Sequence, residues 1–204
     1  VLFSTSEETY CEGAAVFDFS RVRAREAYVL DYEGALGAAV VAAPTILGFT
    51  AAVTGRASHA GFAPEQGISA LLAAARAVTA VPSGRVAPDT TVNFGLVEGG
   101  SGTNIVPQTC TVRGEVRSMD HGRALEQAAL VRSAFERACA ESGAALEFQE
   151  RCFIRAYRVA EDAPVVRRYF DACRARGYET SVVDTFGGSD NNVLAQHGIT
   201  GVVL

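Results

Sequence analysis

Apolar residues in this chain recur with two periods, and each period predicts a different element. Ile68, Leu71, Leu72, Ala75 and Val78 lie three or four residues apart, so a helix opened by Pro64 carries one apolar face until Val81-Pro82-Ser83-Gly84 ends it. Ala124, Ala128, Val131, Phe135 and Ala138 repeat that spacing after Asp120, and Gly143 follows the end of this second helix. Residues 91–97 and 109–116 alternate apolar and polar instead, the period of a half-buried strand. The Gly-rich turn Glu98-Gly99-Gly100-Ser101-Gly102 separates them, and further strands are predicted over 49–54 and 146–154.

In chain order these segments read β-α-β-β-α-β, the split βαβ or ferredoxin-like unit, whose two helices cover one face of an antiparallel sheet. The pattern differs on either side. Val1-Leu2-Phe3 predicts a strand, 13–17 a short helix, and 28–30 and 37–42 two more strands before Pro44 punctuates the chain. Asp162-Ala163-Pro164 caps a helix running to about Arg176, and a strand over 180–183 leads into a glycine pair. The short helix 192–196 and the apolar run Gly201-Val202-Val203-Leu204 follow. The expected fold class is α/β: a catalytic-type domain in two parts, 1–44 and 156–204, interrupted by a ferredoxin-like α+β domain at 45–155. The chain starts and stops in apolar runs and lacks an initiator methionine, so it is expected to be a fragment of a longer protein whose other strands close those edges.

Composition narrows the partners. A hydrophobic content of 49% is ample for a packed core. The net charge of −5 sets 23 acids against 18 bases, all arginine and without a basic stripe, so nucleic acid is not expected as a partner. No stretch approaches the ~20 apolar residues that span a bilayer, so no membrane partner is expected either. Cys11, Cys110, Cys139, Cys152 and Cys173 are odd in number and without C-x-x-C spacing. They read as reduced thiols of a cytoplasmic protein rather than a zinc knuckle or disulfide framework.

Candidate chemistry lies where the elements end. Glu7-Glu8 follows the first apolar run, and Asp31 ends the run Tyr28-Val29-Leu30. Strand ends are where open α/β folds place ligands, and neighbouring acids repel unless a cation or shared proton relieves them. The three acids read as oxygen ligands of a metal with one acid left as a general base, or as a solvated loop. Gly187-Gly188-Ser189-Asp190-Asn191 reads as an anion-approach turn or as a plain turn with an N-cap. His59, in a small-residue loop, is catalytic or a surface residue. Asn104 reads as a loop residue bonding its own backbone, and Arg117 clamps a carboxylate or is an ordinary strand-end arginine.

Taken together, the motifs resemble the peptidase T-like zinc aminopeptidases of the aminoacylase and carboxypeptidase G superfamily. The matching stretches are Ser6-Glu7-Glu8 with Glu12-Gly13-Ala14, Tyr28-Val29-Leu30-Asp31, residues 55–64 with His59-Ala60-Gly61 and Ala63-Pro64, residues 102–107, Val116-Arg117-Ser118, and Gly187-Gly188-Ser189-Asp190. The Gly-Gly-Ser-Asp-x-Asn form of the last motif points to the peptidase T-like branch.

The resemblance implies a two-zinc enzyme, with cobalt or manganese able to substitute, that hydrolyses the N-terminal residue from short peptides. Glu7 would be the general base, and Glu8 and Asp31 would each ligate one zinc. The ferredoxin-like domain would be a lid that forms a homodimer and presents His59 to the partner's active site as an oxyanion donor. Asn104, Arg117, Gly187 and Gly188 would bind the substrate. Family members also carry a histidine and a bridging aspartate upstream and a histidine downstream that this chain does not contain. His121 and His197 fall outside the motifs and are expected to be structural or exposed. Two carboxylates are too few for a zinc site, so the chain alone is expected to be inactive. An N-acyl amino acid deacylase or carboxypeptidase of the same superfamily, or a non-catalytic dimerisation module, are the alternative readings.

Overall fold

A computed structural model describes all 204 residues, Val1 to Leu204. In chain order the elements are α1 (Glu12–Ala15), β1 (Glu26–Val29), β2 (Ala38–Ala43), β3 (Thr45–Thr54), α2 (Ala70–Thr79), β4 (Gly84–Ala87), β5 (Thr90–Gly99), β6 (Thr109–Ser118), α3 (His121–Ser142), β7 (Ala145–Ile154), β8 (Tyr157–Arg158), α4 (Pro164–Arg174), β9 (Ser181–Asp184), α5 (Asp190–Gln196) and β10 (Thr200–Val203). The fold is mixed α/β and divides into two compact units. One holds Val1–Ile46, Ser118–His121 and Phe153–Leu204, and the other Leu47–Arg117 and Gly122–Cys152. No helix is long and apolar enough to cross a membrane.

In the first unit β2 reads Ala-Ala-Val-Val-Ala-Ala and is buried at every position, so it shows a continuous apolar run rather than alternation. It pairs in parallel with β9 and antiparallel with β8 and β10, and β10 in turn pairs in parallel with β1. Ala39, Val41 and Ala43 of β2 pack with Val165 and Val166 of α4 and Val202 of β10. A smaller cluster joins Ile46, Ile154 and Val193 to Cys11 and Ala14. Residues 1–3 form no strand: no partner strand lies beside them, and Val1 and Phe3 are exposed.

The second unit carries the β-α-β-β-α-β order with one addition. Its sheet runs β4-β5-β6-β3-β7, so the short strand β4 extends the four expected strands at one edge. Leu47, Phe49, Ala51 and Val53 of β3 pack beneath both helices. All five residues expected on the inner face of α3, Ala124, Ala128, Val131, Phe135 and Ala138, are buried. The expected face of α2 is displaced. Pro64 opens only a 3-10 turn, Pro64–Gln66, and the helix starts after Ser69, whose Oγ accepts the Leu72 amide at 3.2 Å. Its buried stripe is Ala70, Ala73, Ala74 and Ala77, which leaves Leu71 and Leu72 exposed.

One side chain ties the last part of the first unit together. Asn192, fully buried, accepts the Ser189 amide at 3.1 Å through Oδ1 and donates from Nδ2 to the carbonyls of Pro44 (3.2 Å) and Arg155 (2.8 Å). With Ser189 it forms the capping box that starts α5. Asn192→Ala removes three bonds and strands their partners, so it is expected to cost about 2–4 kcal/mol of stability. A lower urea midpoint at unchanged m-value would register that loss.

Candidate active site

Glu7 and Glu8 sit in a single 3-10 turn, Glu7–Thr9, rather than at a strand end. The turn is bracketed by backbone in the left-handed region at Ser6 (φ 57°), Tyr10 (φ 63°) and Cys11 (φ 61°). For residues with a Cβ this costs roughly 1–2 kcal/mol each, so the surroundings must impose it. The means are visible. The Tyr10 ring stacks on Phe153 at 3.8 Å and 5°, and Cys11 and Ala14 are buried against Ile46, Ile154 and Val193. A Cβ at Gly13 would come within 2.0 Å of the Thr5 carbonyl oxygen, so only glycine lets the segment before the acids pass so close.

Charge concentrates around this turn. Burial raises the Glu7 carboxyl above its ordinary pKa, and the neighbouring Asp31, Glu8 and Asp190 raise it further. Asp31 is raised in the same way by burial, then by Asp190, Glu8 and Glu33. The Cys11 thiol is pushed far up by burial and by Asp190 and Glu7. No cationic side chain of the chain offsets the repulsion on Glu7 or Asp31. Asp190 takes a hydrogen bond from Ser4 on Oδ2, but its buried Oδ1 accepts none.

Uncompensated carboxylates and an orphaned buried carboxylate oxygen are what a divalent cation with oxygen ligands would satisfy. Yet no three His, Cys, Asp or Glu side chains converge into a complete ligand set. The residues present therefore fit part of a metal site. Asp190 was not among the residues singled out from sequence, although it lies in the Gly187-Gly188-Ser189-Asp190 motif. An acid directly after an N-cap serine, in a turn already marked by two glycines, was the available signal. Beside it, the Gly187 amide donates to Thr185 Oγ1 at 3.0 Å, and a Cβ at Gly188 would meet Ile154 Cδ1 at 2.2 Å.

The second unit brings together His59 and Asn104. Their segments run antiparallel, with Val106 N–H donating to Ser58 O and Ala60 N–H to Asn104 O, each at 2.9 Å, and His59 opposite Ile105. Both side chains are exposed. His59 Nδ1 accepts the amides of Gly61 at 3.1 Å and Phe62 at 3.2 Å. Amides only donate, so the neutral ring carries its proton on Nε2, which makes no bond within the chain and faces outward as a donor. Arg117, in β6, already gives its fork to Glu115, Nε to Oε1 at 2.7 Å and Nη2 to Oε2 at 3.2 Å.

The other two histidines have structural surroundings. The Thr45 hydroxyl, which accepts the Ala156 amide at 2.8 Å, lies 3.1 Å from His121 Nδ1. Burial and then Arg155 hold His121 below its ordinary pKa. His197 stacks on Phe19 at 4.0 Å. A cleft of about 580 Å³ in the first unit, lined in part by His121, Arg155, Tyr157 and Gln196, contains none of the residues singled out from sequence.

Residues 41–143 match the peptidase dimerisation domain of the M20 type. The chain is 36% identical over 203 residues to the uncharacterised protein YqjE of Bacillus subtilis strain 168, covering 100% of this chain and 55% of that one. Its structure resembles that of aminopeptidase PepT from Bacillus cereus, with a TM-score of 0.93 and 37% identity over 98% of this chain and 54% of that one. It also resembles a tripeptidase from Staphylococcus aureus, with a TM-score of 0.95 and 30% identity over 98% of this chain and 54% of that one. The chain thus spans about half the length of the relatives it matches.

Proposed function

The chain belongs to the M20 family through its peptidase dimerisation domain, and from that membership we propose that it is part of a longer, dimeric, metal-dependent aminopeptidase acting on short peptides. The observation that carries this reading is the gathering of Glu7, Glu8, Asp31 and Asp190 without a cation of the chain to offset Glu7 or Asp31. The likeness to an aminopeptidase and a tripeptidase supports the substrate class. The half-length coverage and the incomplete ligand set are consistent with further ligands elsewhere in a longer polypeptide.

In this reading Glu8 and Asp31 would each hold one of two zinc ions, with Asp190 beside them. Bound there, the metals would polarise the scissile carbonyl and lower the pKa of a water molecule. Glu7 takes the proton of the attacking water and returns it to the leaving amine. His59 of the partner subunit donates its Nε2–H to the carbonyl oxygen as negative charge gathers there, its other nitrogen being occupied by two backbone amides. Asn104 orients the substrate. Arg117 exchanges the Glu115 carboxylate for that of the peptide, since its planar fork fits either. Gly187 and Gly188 line the pocket without adding side chains to it.

Incubating the complete protein with zinc and tripeptides, and identifying products by mass spectrometry, tests this. Free N-terminal amino acid and the remaining dipeptide are expected, and a chelator should stop their release. Release of only the C-terminal residue, or no hydrolysis with zinc present, would overturn the reading.

A further inference from the structure

Phe62 is out of place for a phenylalanine of its unit. Phe49, Phe94, Phe135 and Phe148 contact one another in the core, whereas Phe62 is 85% exposed. It is not loose. Its amide donates to His59 Nδ1 at 3.2 Å, and the following Ala63 amide donates back to the His59 carbonyl at 3.0 Å, closing a tight turn. The Phe62 ring lies 4.4 Å from the imidazole, tilted 36°. A large apolar face is thus held in solvent beside the histidine whose free Nε2–H the loop presents.

An exposed aromatic ring gains most by covering another apolar group, and an ordered one loses little freedom in doing so. We propose that Phe62 is a specificity residue, whose ring packs on an apolar substrate side chain next to the scissile bond. This rests on the reading of His59 as the donor to the scissile carbonyl. Whatever carbonyl receives the Nε2–H bond has its flanking side chains within reach of a ring that lies 4.4 Å from the same imidazole. The ring acts by contact with the side chain and takes no part in proton transfer. It therefore selects for bulky apolar residues over glycine.

The test compares wild type, Phe62→Ala and Phe62→Leu in the complete zinc-loaded protein, using tripeptides with Leu or Gly on either side of the cleaved bond. Phe62→Ala is expected to lower the Leu-over-Gly preference in kcat/KM by about tenfold or more on one side of the bond, and Phe62→Leu to restore much of it. The oligomeric mass, measured by light scattering, stays that of the wild type. An equal loss for Leu and Gly peptides overturns the inference, as does dissociation of the dimer, which would make Phe62 a subunit contact. A wild-type protein that cleaves no tripeptide defeats the functional reading itself, and this inference with it.

Discussion

Glu7→Gln in the complete protein is expected to lower kcat by about 10²–10⁴-fold while bound metal stays unchanged. Glutamine keeps the size of the side chain and its hydrogen-bonding capacity but cannot accept the proton of the attacking water. Misfolding is a poor alternative explanation for such a loss. Glu7 sits among like charges, and its charge also raises the Cys11 thiol, so removing it relieves repulsion in the folded state. The thermal midpoint should hold or rise. Glu8→Gln should behave differently, losing metal together with activity. A Glu7→Gln protein with wild-type kcat would remove Glu7 from the mechanism.

His59→Ala is expected to lower kcat by about 10²–10³-fold, the usual effect of deleting one donor to a developing oxyanion. The side chain is exposed, and its ring bonds are to the amides of Gly61 and Phe62 in its own loop. Loss of the ring therefore frees two solvent-accessible amides and leaves the packed core of the second unit intact. Metal content should be that of the wild type, because no carboxylate of the acidic cluster lies in the same unit. The expected signature is a fall in kcat with metal and dimer retained. Wild-type kcat and KM would make His59 a surface residue.

The fold class was legible because its longest elements are strongly periodic. Five positions of the 22-residue helix α3 recur at helical spacing and all five are buried, which fixes the face of that helix without any tertiary information. Helix α2 was misread on the same principle. Leucines at 71 and 72 outweigh alanines in any hydrophobic pattern, yet the alanine stripe is what packs on the sheet. The short strands β4 and β8, of four and two residues, are too brief for a period to register.

Sequence spacing pointed to Glu7, Glu8 and Asp31 as acids near element ends. The fourth carboxylate, Asp190, carried a local signal as an acid after an N-cap serine. Spacing does not group it with the other three, because it is 159 or more positions away from them and joins them only when the chain folds back. Nor did spacing foresee that the Glu7–Thr9 turn is flanked by left-handed backbone at the non-glycine residues Ser6, Tyr10 and Cys11, since φ at Tyr10 and Cys11 is held by packing rather than by residue type. The engagement of Arg117 by Glu115 was equally hidden. Two residues apart on one strand they share a face, but only side-chain geometry shows that the fork is already occupied.

The central claim is that one active site takes its carboxylates from one subunit and its histidine from the other. Mixing equal amounts of Glu7→Gln and His59→Ala proteins, exchanging subunits and assaying tripeptide hydrolysis tests it most directly. A mixed dimer contains one site that joins an intact Glu7 to an intact His59 of the partner subunit. Random exchange should therefore restore about a quarter of wild-type activity from two nearly inactive proteins. If activity stays at the level of the separate variants although mixed dimers have formed, Glu7 and His59 do not meet across the dimer and the account fails.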